Sequence, residues 1–272
     1  MKLYNRNIHI SDFLPPVVFK LLRYTSRSLT QPFQEATNVA SAVATPTIRT
    51  LTPFAHRLLD SYSQHSEDLI LDLILSFKNK GFNVDVGAND PTLNSNTKRF
   101  YLKGWTGINV EPGLEPFKKL CEARPLDVNL NVGIAPEKGS MTFYQLSDDT
   151  TLSSLNKDTA LKMAAILGLT VSSVKIPTCS LENVFDDYLN GRHVDFLSVD
   201  AEGFDLNVLM SNNWEKHRPS LIIAEINNEY EQIVDYLANH GYLLIYNNNY
   251  NGLFLDTKTD DPDLSNLLKR SA

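Results

Sequence analysis

Four short apolar segments, separated by stretches with helical patterning, restrict the possible folds of this chain more than any other feature. They lie at residues 82–86, 106–110, 194–200 and 220–226, and such continuous apolar runs are typical of strands buried on both faces. Strands that alternate with helices predict an α/β fold with a mostly parallel sheet and helices on both faces. The apolar segments within 242–256 predict a C-terminal antiparallel hairpin.

Several smaller elements are also expected from local patterns. Residues 63–81 predict the first helix, with Ser66 as its N-cap. The segments 126–134 and 139–146 are expected to pair with each other as strands. The polar segment 147–156 is interpreted either as a lid over a bound ligand or as an inert surface loop.

The first 60 residues differ in character from the rest, so we divide the chain into an arm at 1–60 and a main domain at 61–272. The arm is expected to be partly helical or poorly ordered, and it contains seven Lys and Arg against three Asp and Glu. Its amphipathic segment 11–24 predicts a helix that contacts a membrane surface, a second subunit or the chain's own domain.

The charge of the whole chain limits the classes of partner. The formal net charge is −7 although the arm is basic, so residues 61–272 are strongly acidic. Binding to duplex nucleic acid requires a basic face that neutralises phosphates. We therefore expect no nucleic-acid partner.

Cellular location is predicted from three further features of the sequence. The apolar runs are shorter than the roughly 20 residues that span a bilayer, and the N-terminus lacks the pattern of a signal peptide. The chain has only two cysteines, which is not a disulfide framework. We expect a cytoplasmic protein, with peripheral attachment to the inner face of the membrane through the arm as the alternative.

The residues after the first and second strands have the chemistry of a nucleoside site. Ligands of open α/β sheets bind at the carboxyl ends of the strands, where this chain has Asp85, Gly87 and Asn89. Glycine allows a close approach of the backbone, and asparagine tolerates a left-handed turn. Glu111 ends the second strand, where a carboxylate can accept hydrogen bonds from both ribose hydroxyls.

The loop after the first strand lacks the glycine-rich motif that binds pyrophosphate. The sequence at 87–91 is G-A-N-D-P rather than G-x-G-x-x-G, so few backbone N–H groups are available for phosphate. The acidic side chains of Asp85 and Asp90 repel phosphate but suit a ligand with ammonium and sulfonium charges. S-adenosylmethionine fits this description better than a nicotinamide cofactor, and an NAD(P)-dependent oxidoreductase is the rival enzyme.

Six motifs occur in order and with plausible spacing over about residues 62–256. Together they resemble the FkbM-family methyltransferases, and the resemblance does not extend to residues 1–60. It implies a class I methyltransferase (Rossmann-like) fold and transfer of a methyl group from S-adenosylmethionine, usually to a hydroxyl of a sugar or natural product. The motifs are YSQHSEDLIL (62–71), DVGANDP (85–91), GWTGINVEP (104–112), NVGIAPEKGSMTFY (131–144), TLSSL (151–155) and VDFLSVDAEGFDLNVL (194–209).

The resemblance also implies roles for the residues of the first two strand ends. Asp85, Gly87 and Asn89 would hold the methionine part of the cofactor, and Glu111 would hold its ribose. Asn131 lies near the strand end that usually faces the adenine.

The motif before the first strand contributes a further candidate. Glu67, and with it Asp68, would reach the amino group of the cofactor or would serve only to cap the first helix. Ser66 departs from the family, in which glycine is more frequent at this position.

The chemical end of the site is predicted at Asp200 and Glu202, which follow the strand at 194–200. Both carboxylates are expected at the carboxyl edge of the sheet, as a general base on the acceptor hydroxyl. Alternatively, Asp200 and Glu202 are ligands for Mg²⁺ that lowers the pKa of that hydroxyl, and Glu225 and Asn227 at a third strand end complete the metal site, with Asp200 and Glu225 as the preferred ligands. A third role for Asp200 and Glu202 is helix capping with a cofactor contact, whereas Asp205 is expected to be only a first-turn helix charge.

These observations predict an S-adenosylmethionine-dependent O-methyltransferase that acts on a glycan, glycolipid or natural-product intermediate. The rival from another class is a non-catalytic module that binds a nucleoside or a glycan. Neutralising Asp200 and Glu202 would leave such a module unaffected, whereas an enzyme would lose turnover.

Overall fold

The computed structural model describes residues 61–147, 150–227 and 229–271. The arm, with the helix expected at 11–24, lies outside the described residues. Within the described ranges, the helices are all too short or too polar to cross a bilayer.

Seven strands form the main sheet, in the order β3-β2-β1-β7-β8-β10-β9. All neighbouring strands are parallel except β10, which runs antiparallel to both β8 and β9. This order is that of a class I methyltransferase fold, and the C-terminal antiparallel hairpin is β9–β10, so both expectations are confirmed. The strands are β1 Phe82–Val86, β2 Thr106–Val110, β3 Val128–Leu130, β7 Phe196–Val199, β8 Leu221–Glu225, β9 Tyr242–Asn247 and β10 Asn251–Asp256.

Helices cover both faces of the main sheet. Consecutive side chains of β8 alternate between the two cores: Leu221 packs in one, and Ile222 packs in the other. Burial of alternate residues on opposite faces explains why the strand sequences are apolar without interruption. The helices are α1 Glu67–Ile74, α2 Lys98–Leu102, α3 Leu114–Ala123, α4 Lys157–Leu167, α5 Leu181–Tyr188, α6 Asp205–Met210, α7 Tyr230–Asn239 and α8 Pro262–Ser271.

A second sheet of three strands stands beside the main sheet and differs from the expected pairing. It consists of β4 Gly133–Ile134, β5 Gly139–Leu146 and β6 Val171–Cys179, in the order β4-β6-β5. The expected pairing of 126–134 with 139–146 is wrong, because β6 lies between β4 and β5. Only a few side chains of β6 are buried, so its sequence lacks the apolar run that identified the other strands.

The start of α1 corrects the predicted N-cap. Ser66 has φ +70°, in the left-handed region, and its side chain makes no capping hydrogen bond. Glycine adopts this conformation without steric cost, which explains why glycine is frequent at this position in the family that the chain resembles. The helix also ends at Ile74, well before the predicted end at residue 81.

The order of strands in the main sheet reverses between β1 and β7, and the loops that follow these strands touch there. The backbone N–H of Asp200 donates to the carbonyl of Val86 at 3.0 Å. Gly87 has φ +82°, and a Cβ atom at this position would overlap the carbonyl oxygen of Asp200. The glycine is therefore required by the neighbouring loop of the protein itself.

Replacing Gly87 with alanine should destabilise the fold. The side chain would collide with the Asp200 backbone and would occupy a left-handed conformation, so Gly87→Ala should lower the free energy of unfolding by more than about 2 kcal/mol. Urea denaturation measures this change. Gly139→Ala is the matched control, since a Cβ atom there has open space around it, and it should change stability by less than about 0.5 kcal/mol. Equal stabilities of the two variants would contradict the structural role of Gly87.

Candidate functional site

A cleft opens at the carboxyl ends of β1, β2 and β7, the edge at which open α/β sheets bind their ligands. Its polar side is formed by residues that follow these strands, among them Gly87, Asn89 and Glu111. Within the described parts of the chain, no Lys, Arg or His lines the cleft. Its apolar wall consists of Val110, Val132, Ile134, Phe143, Leu155 and Val208.

Glu111 is the central polar group of this cleft. Its carboxylate accepts the backbone N–H of Asn89 at 2.9 Å and that of Gly113 at 2.6 Å. The residue is only 5% exposed, and burial raises the pKa of its carboxyl to about 7 despite the two hydrogen bonds. Each carboxylate oxygen retains a second lone pair that can accept a hydroxyl hydrogen from a ligand.

The loop after β1 is shaped so that its backbone faces Glu111. The N–H groups of Gly87 and Ala88 both donate to the carbonyl of Val110, at 2.9 and 3.2 Å. Asn89 has φ +42°, the left-handed turn for which its residue type is suited. Gly87 and Asn89 thus lie at the cleft, as expected from the sequence.

Asp85 and Asn131 lie behind the cleft rather than in its lining. Asp85 accepts a hydrogen bond from the hydroxyl of Thr97 at 2.9 Å, and burial raises the pKa of its carboxyl. The amide of Asn131 donates to the carbonyls of Glu111 at 2.9 Å and Pro112 at 3.0 Å. Both residues therefore position the two strand ends, whichever ligand the cleft holds.

Arg124 is a supporting residue that the sequence reasoning missed. It is 1% exposed, and its guanidinium donates to the carbonyl of Pro91 at 2.7 Å and to the hydroxyl of Ser95 at 3.1 Å. The positive charge of Arg124 lowers the pKa of the Asp85 carboxyl, against the larger opposite effect of burial. Nothing in the local sequence identifies such a residue, because its partners are about 30 positions away.

Glu67 is buried next to the site but outside the lining of the cleft. One of its oxygens accepts the side-chain amides of Asn248 at 2.9 Å and Asn251 at 2.8 Å, and the other accepts the backbone N–H of His65 at 2.9 Å. Asp68 instead accepts hydrogen bonds from Ser61 and Tyr62. Glu67 therefore joins α1 to the turn between β9 and β10.

Three carboxylates converge at the ends of β7 and β8: Asp200, Asp205 and Glu225 have oxygens within 4.8 Å of one another. Asp205 was expected to be only a helix charge, and Glu202 is not in this group. The carboxylate of Asp205 accepts the N–H groups of Ala201 at 2.7 Å and Gly203 at 3.0 Å. Asp205 thus fixes the loop in which Glu202, with φ +52°, faces the cleft.

Burial and nearby negative charges raise the pKa of all three carboxyl groups. Burial, followed by the charges of Glu225, Asp85 and Glu67, raises the pKa of Asp200 to about 8. Burial also raises the pKa of Asp205 and Glu225. Oδ1 of Asp200 and Oε2 of Glu225 are buried without a hydrogen-bond partner. The group therefore either retains protons at neutral pH or requires a nearby positive charge.

The fit of a divalent cation to this group is incomplete. Oxygen donors suit Mg²⁺, and Asp200 and Glu225, the predicted metal ligands, each have an unpartnered oxygen. Both oxygens of Asp205 already accept backbone N–H groups. Asp200 and Glu225 would be the residues to hold a cation.

The segment 150–155 forms part of the wall of the cleft. The hydroxyl of Ser154 donates to the carbonyl of Glu202 at 2.8 Å, and the side chain of Asn156 donates to the carbonyl of Gly203 at 3.1 Å. Ser154 also exchanges two backbone hydrogen bonds with Tyr144, at 2.9 and 3.0 Å. The TLSSL motif thus joins the small sheet to the loop that carries Asp200 and Glu202.

Comparison with known proteins places this geometry in context. The family model described as "Methyltransferase FkbM domain" matches residues 85–244, more than half of the chain. No curated protein sequence matches the chain significantly.

Two solved structures are similar to the chain at low identity. TrmK from M. capricolum, in complex with S-adenosyl-homocysteine, is 12% identical with a TM-score of 0.31, over 72% of this chain and 73% of that one. An O-methyltransferase from Bacillus cereus, in complex with SAH, is 11% identical with a TM-score of 0.36, over 93% and 83%. At these scores the likenesses carry no argument about ligand or reaction.

The raised pKa of Asp200 predicts an unusual pH dependence of stability. The folded protein binds more protons than the unfolded chain between about pH 4 and pH 8, so the stability of the ligand-free protein should fall as the pH rises through this window. Asp200→Asn removes the charge and should raise the melting temperature at pH 8.5 by about 3–6 °C in EDTA. Differential scanning calorimetry at pH 5 and pH 8.5 measures this effect.

Asp186→Asn is the matched control. Lys216 and His217 lower the pKa of the Asp186 carboxyl, so this variant should give no stabilisation at high pH. If Asp200→Asn follows the wild-type melting curve at both pH values, the account of the carboxylate group is wrong.

Proposed function

The chain belongs to the FkbM methyltransferase family, and on that basis we propose that it binds S-adenosylmethionine in the cleft and methylates a hydroxyl group. The acceptor is a sugar-containing molecule, namely a glycan, a glycolipid or a natural-product intermediate. The proposal goes beyond family membership in naming the methyl donor, the reacting group and the class of acceptor.

The observation that carries the proposal is the position of Glu111. Its buried carboxylate ends β2, faces the cleft and is oriented by two backbone N–H groups. A nucleoside with its ribose hydroxyls on Glu111 would have the apolar wall of the cleft available for its base. The absence of basic side chains among the described lining residues disfavours a phosphate-bearing nicotinamide cofactor.

The charge around Asp200 supports a positively charged ligand. Glu225, Asp85 and Glu67 are the nearby charges that raise the pKa of Asp200, and all three are acidic. A ligand with sulfonium and ammonium groups relieves the mutual repulsion of these carboxylates. The cleft therefore combines a ribose acceptor with an electrostatic preference for a cationic nucleoside.

The chemistry then divides between the methyl donor and the residues of the chain. Bound in the cleft, S-adenosylmethionine would supply an electrophilic methyl group for the acceptor oxygen, with S-adenosylhomocysteine, a neutral thioether, as the leaving group. Asp200 accepts the proton of the acceptor hydroxyl, and a pKa close to neutral suits a general base. Glu202, held by Ser154 at its backbone, orients the acceptor at the rim of the cleft.

The alternative role for this group is a Mg²⁺ site at Asp200 and Glu225. Both carboxylate oxygens of Asp205 accept backbone N–H groups, so only Asp200 and Glu225 could bind a divalent cation. We therefore expect no divalent cation to bind. Addition of MgCl₂ should therefore leave the melting temperature of the wild-type protein unchanged at pH 8. A stabilisation that Asp200→Asn abolishes would instead support the metal-assisted route.

The pKa of Glu111 predicts how cofactor binding depends on pH. Hydrogen bonds from two ribose hydroxyls require the ionised carboxylate, so the affinity for S-adenosylmethionine should fall about tenfold between pH 8 and pH 6. Glu111→Gln should bind at least about tenfold more weakly at pH 8 and should lose this pH dependence. Isothermal titration calorimetry at the two pH values measures both effects.

Glu115→Gln is the control, since this exposed residue lies in the first turn of the next helix and pairs with Lys118. It should bind like the wild type at both pH values. The proposed cofactor is wrong if the wild type gives no heat with S-adenosylmethionine, or if Glu111→Gln binds as tightly as the wild type.

A further inference from the structure

The turn between β9 and β10 meets the start of α1 beside the carboxylate group. Glu67 accepts the amides of Asn248 and Asn251, and Asn251 is the register partner of Glu225 across the β8–β10 pair. The backbone N–H of Ile226, which follows Glu225, donates to the carbonyl of Tyr250 at 2.7 Å. The turn is therefore fixed next to the end of β8.

An aromatic pair lies at this junction. The rings of His65 and Tyr250 stack with centroids 4.4 Å apart and an interplanar angle of 22°. Tyr250 is 51% exposed, so part of its ring faces solvent while His65 supports it. An exposed, supported aromatic ring is suited to pack against the C–H face of a pyranose.

The conformation of the turn presents this ring. The side-chain oxygen of Asn248 accepts the backbone N–H groups of Tyr250 at 3.0 Å and Asn251 at 2.6 Å, and Asn249 has φ +73°. These contacts hold Tyr250 at the tip of the turn. A flexible surface tyrosine would have no such support.

Three buried polar atoms on the converging segments lack partners within the described residues: Nε2 of His65, Oδ1 of Asp200 and Oε2 of Glu225. Buried polar atoms are normally hydrogen bonded, and an unmet one costs free energy. A molecule that carries several hydroxyl groups can satisfy donors and acceptors of this kind, whereas an apolar acceptor cannot.

We propose that Tyr250, supported on one face by His65, is the acceptor subsite, where a pyranose ring packs on the opposite face of Tyr250. This inference rests on the proposed function and assigns its acceptor to a defined place. The hydrogen bonds of Glu67 to Asn248 and Asn251 keep α1 and the turn together. The carboxylates of Asp200 and Glu225 lie on the adjacent strand ends.

Saturation-transfer-difference NMR tests this subsite with the protein in the presence of S-adenosylhomocysteine. The probe is an equimolar mixture of the methyl pyranosides of glucose, rhamnose and fucose. The wild type should transfer saturation to the ring C–H protons of at least one glycoside. Tyr250→Ala should reduce this signal at least threefold, whereas Tyr250→Phe should retain it because the ring remains.

Three further variants make the test specific. Tyr188→Ala removes a partly exposed tyrosine at the end of α5 and should leave the signal unchanged. His65→Ala removes the ring that supports Tyr250 and should weaken glycoside binding about fivefold, whereas His65→Phe keeps a ring for the stack and should retain binding. Melting temperatures show whether each variant is folded.

The outcomes separate the subsite from the proposed function. If the wild type binds S-adenosylmethionine but no glycoside, or if Tyr250→Ala binds glycosides like the wild type, the acceptor subsite is wrong and the cofactor proposal stands. If the wild type gives no calorimetric signal with S-adenosylmethionine, the proposed function is wrong, and the acceptor subsite that rests on it is wrong as well.

Discussion

The contact between the loops after β1 and β7 is the constraint on which the rest of the structure depends. The carbonyl of Asp200 occupies the space in which any side chain at position 87 would lie, and the N–H of Asp200 is bonded to Val86. This contact brings the loop after β1 and the loop after β7 to one point of the sheet, where the strand order reverses. Glu111 from the end of β2 and Asp200 from the end of β7 then line the same cleft.

That arrangement concentrates negative charge. Glu225, Asp85 and Glu67 lie close enough to Asp200 that burial and their negative charges raise its pKa, and charge of this kind opposes folding as the pH rises. Functional sites commonly store such unfavourable electrostatics. We propose that this repulsion, which opposes folding of the ligand-free protein, becomes attraction when a cationic ligand binds.

Much of the fold could be predicted because its signals are local. The bounds of β1 and β2 follow from continuous apolar runs, and the left-handed turn at Asn89 follows from its residue type. The placement of β6 could not be predicted, because the strand is mostly exposed and pairs across the chain. Asp205 was underestimated for a related reason: its role depends on the turn at Glu202–Gly203 and on Glu225, which is remote in sequence. Arg124 was missed since long-range contacts define it.

The most direct test of the central claim is a crystal structure of the protein in complex with S-adenosylhomocysteine. The account predicts both ribose hydroxyls on the carboxylate of Glu111, the adenine against the apolar wall at Ile134 and Phe143, and the sulfur directed toward Asp200. A ligand bound elsewhere, or a nucleoside whose ribose does not contact Glu111, would contradict it.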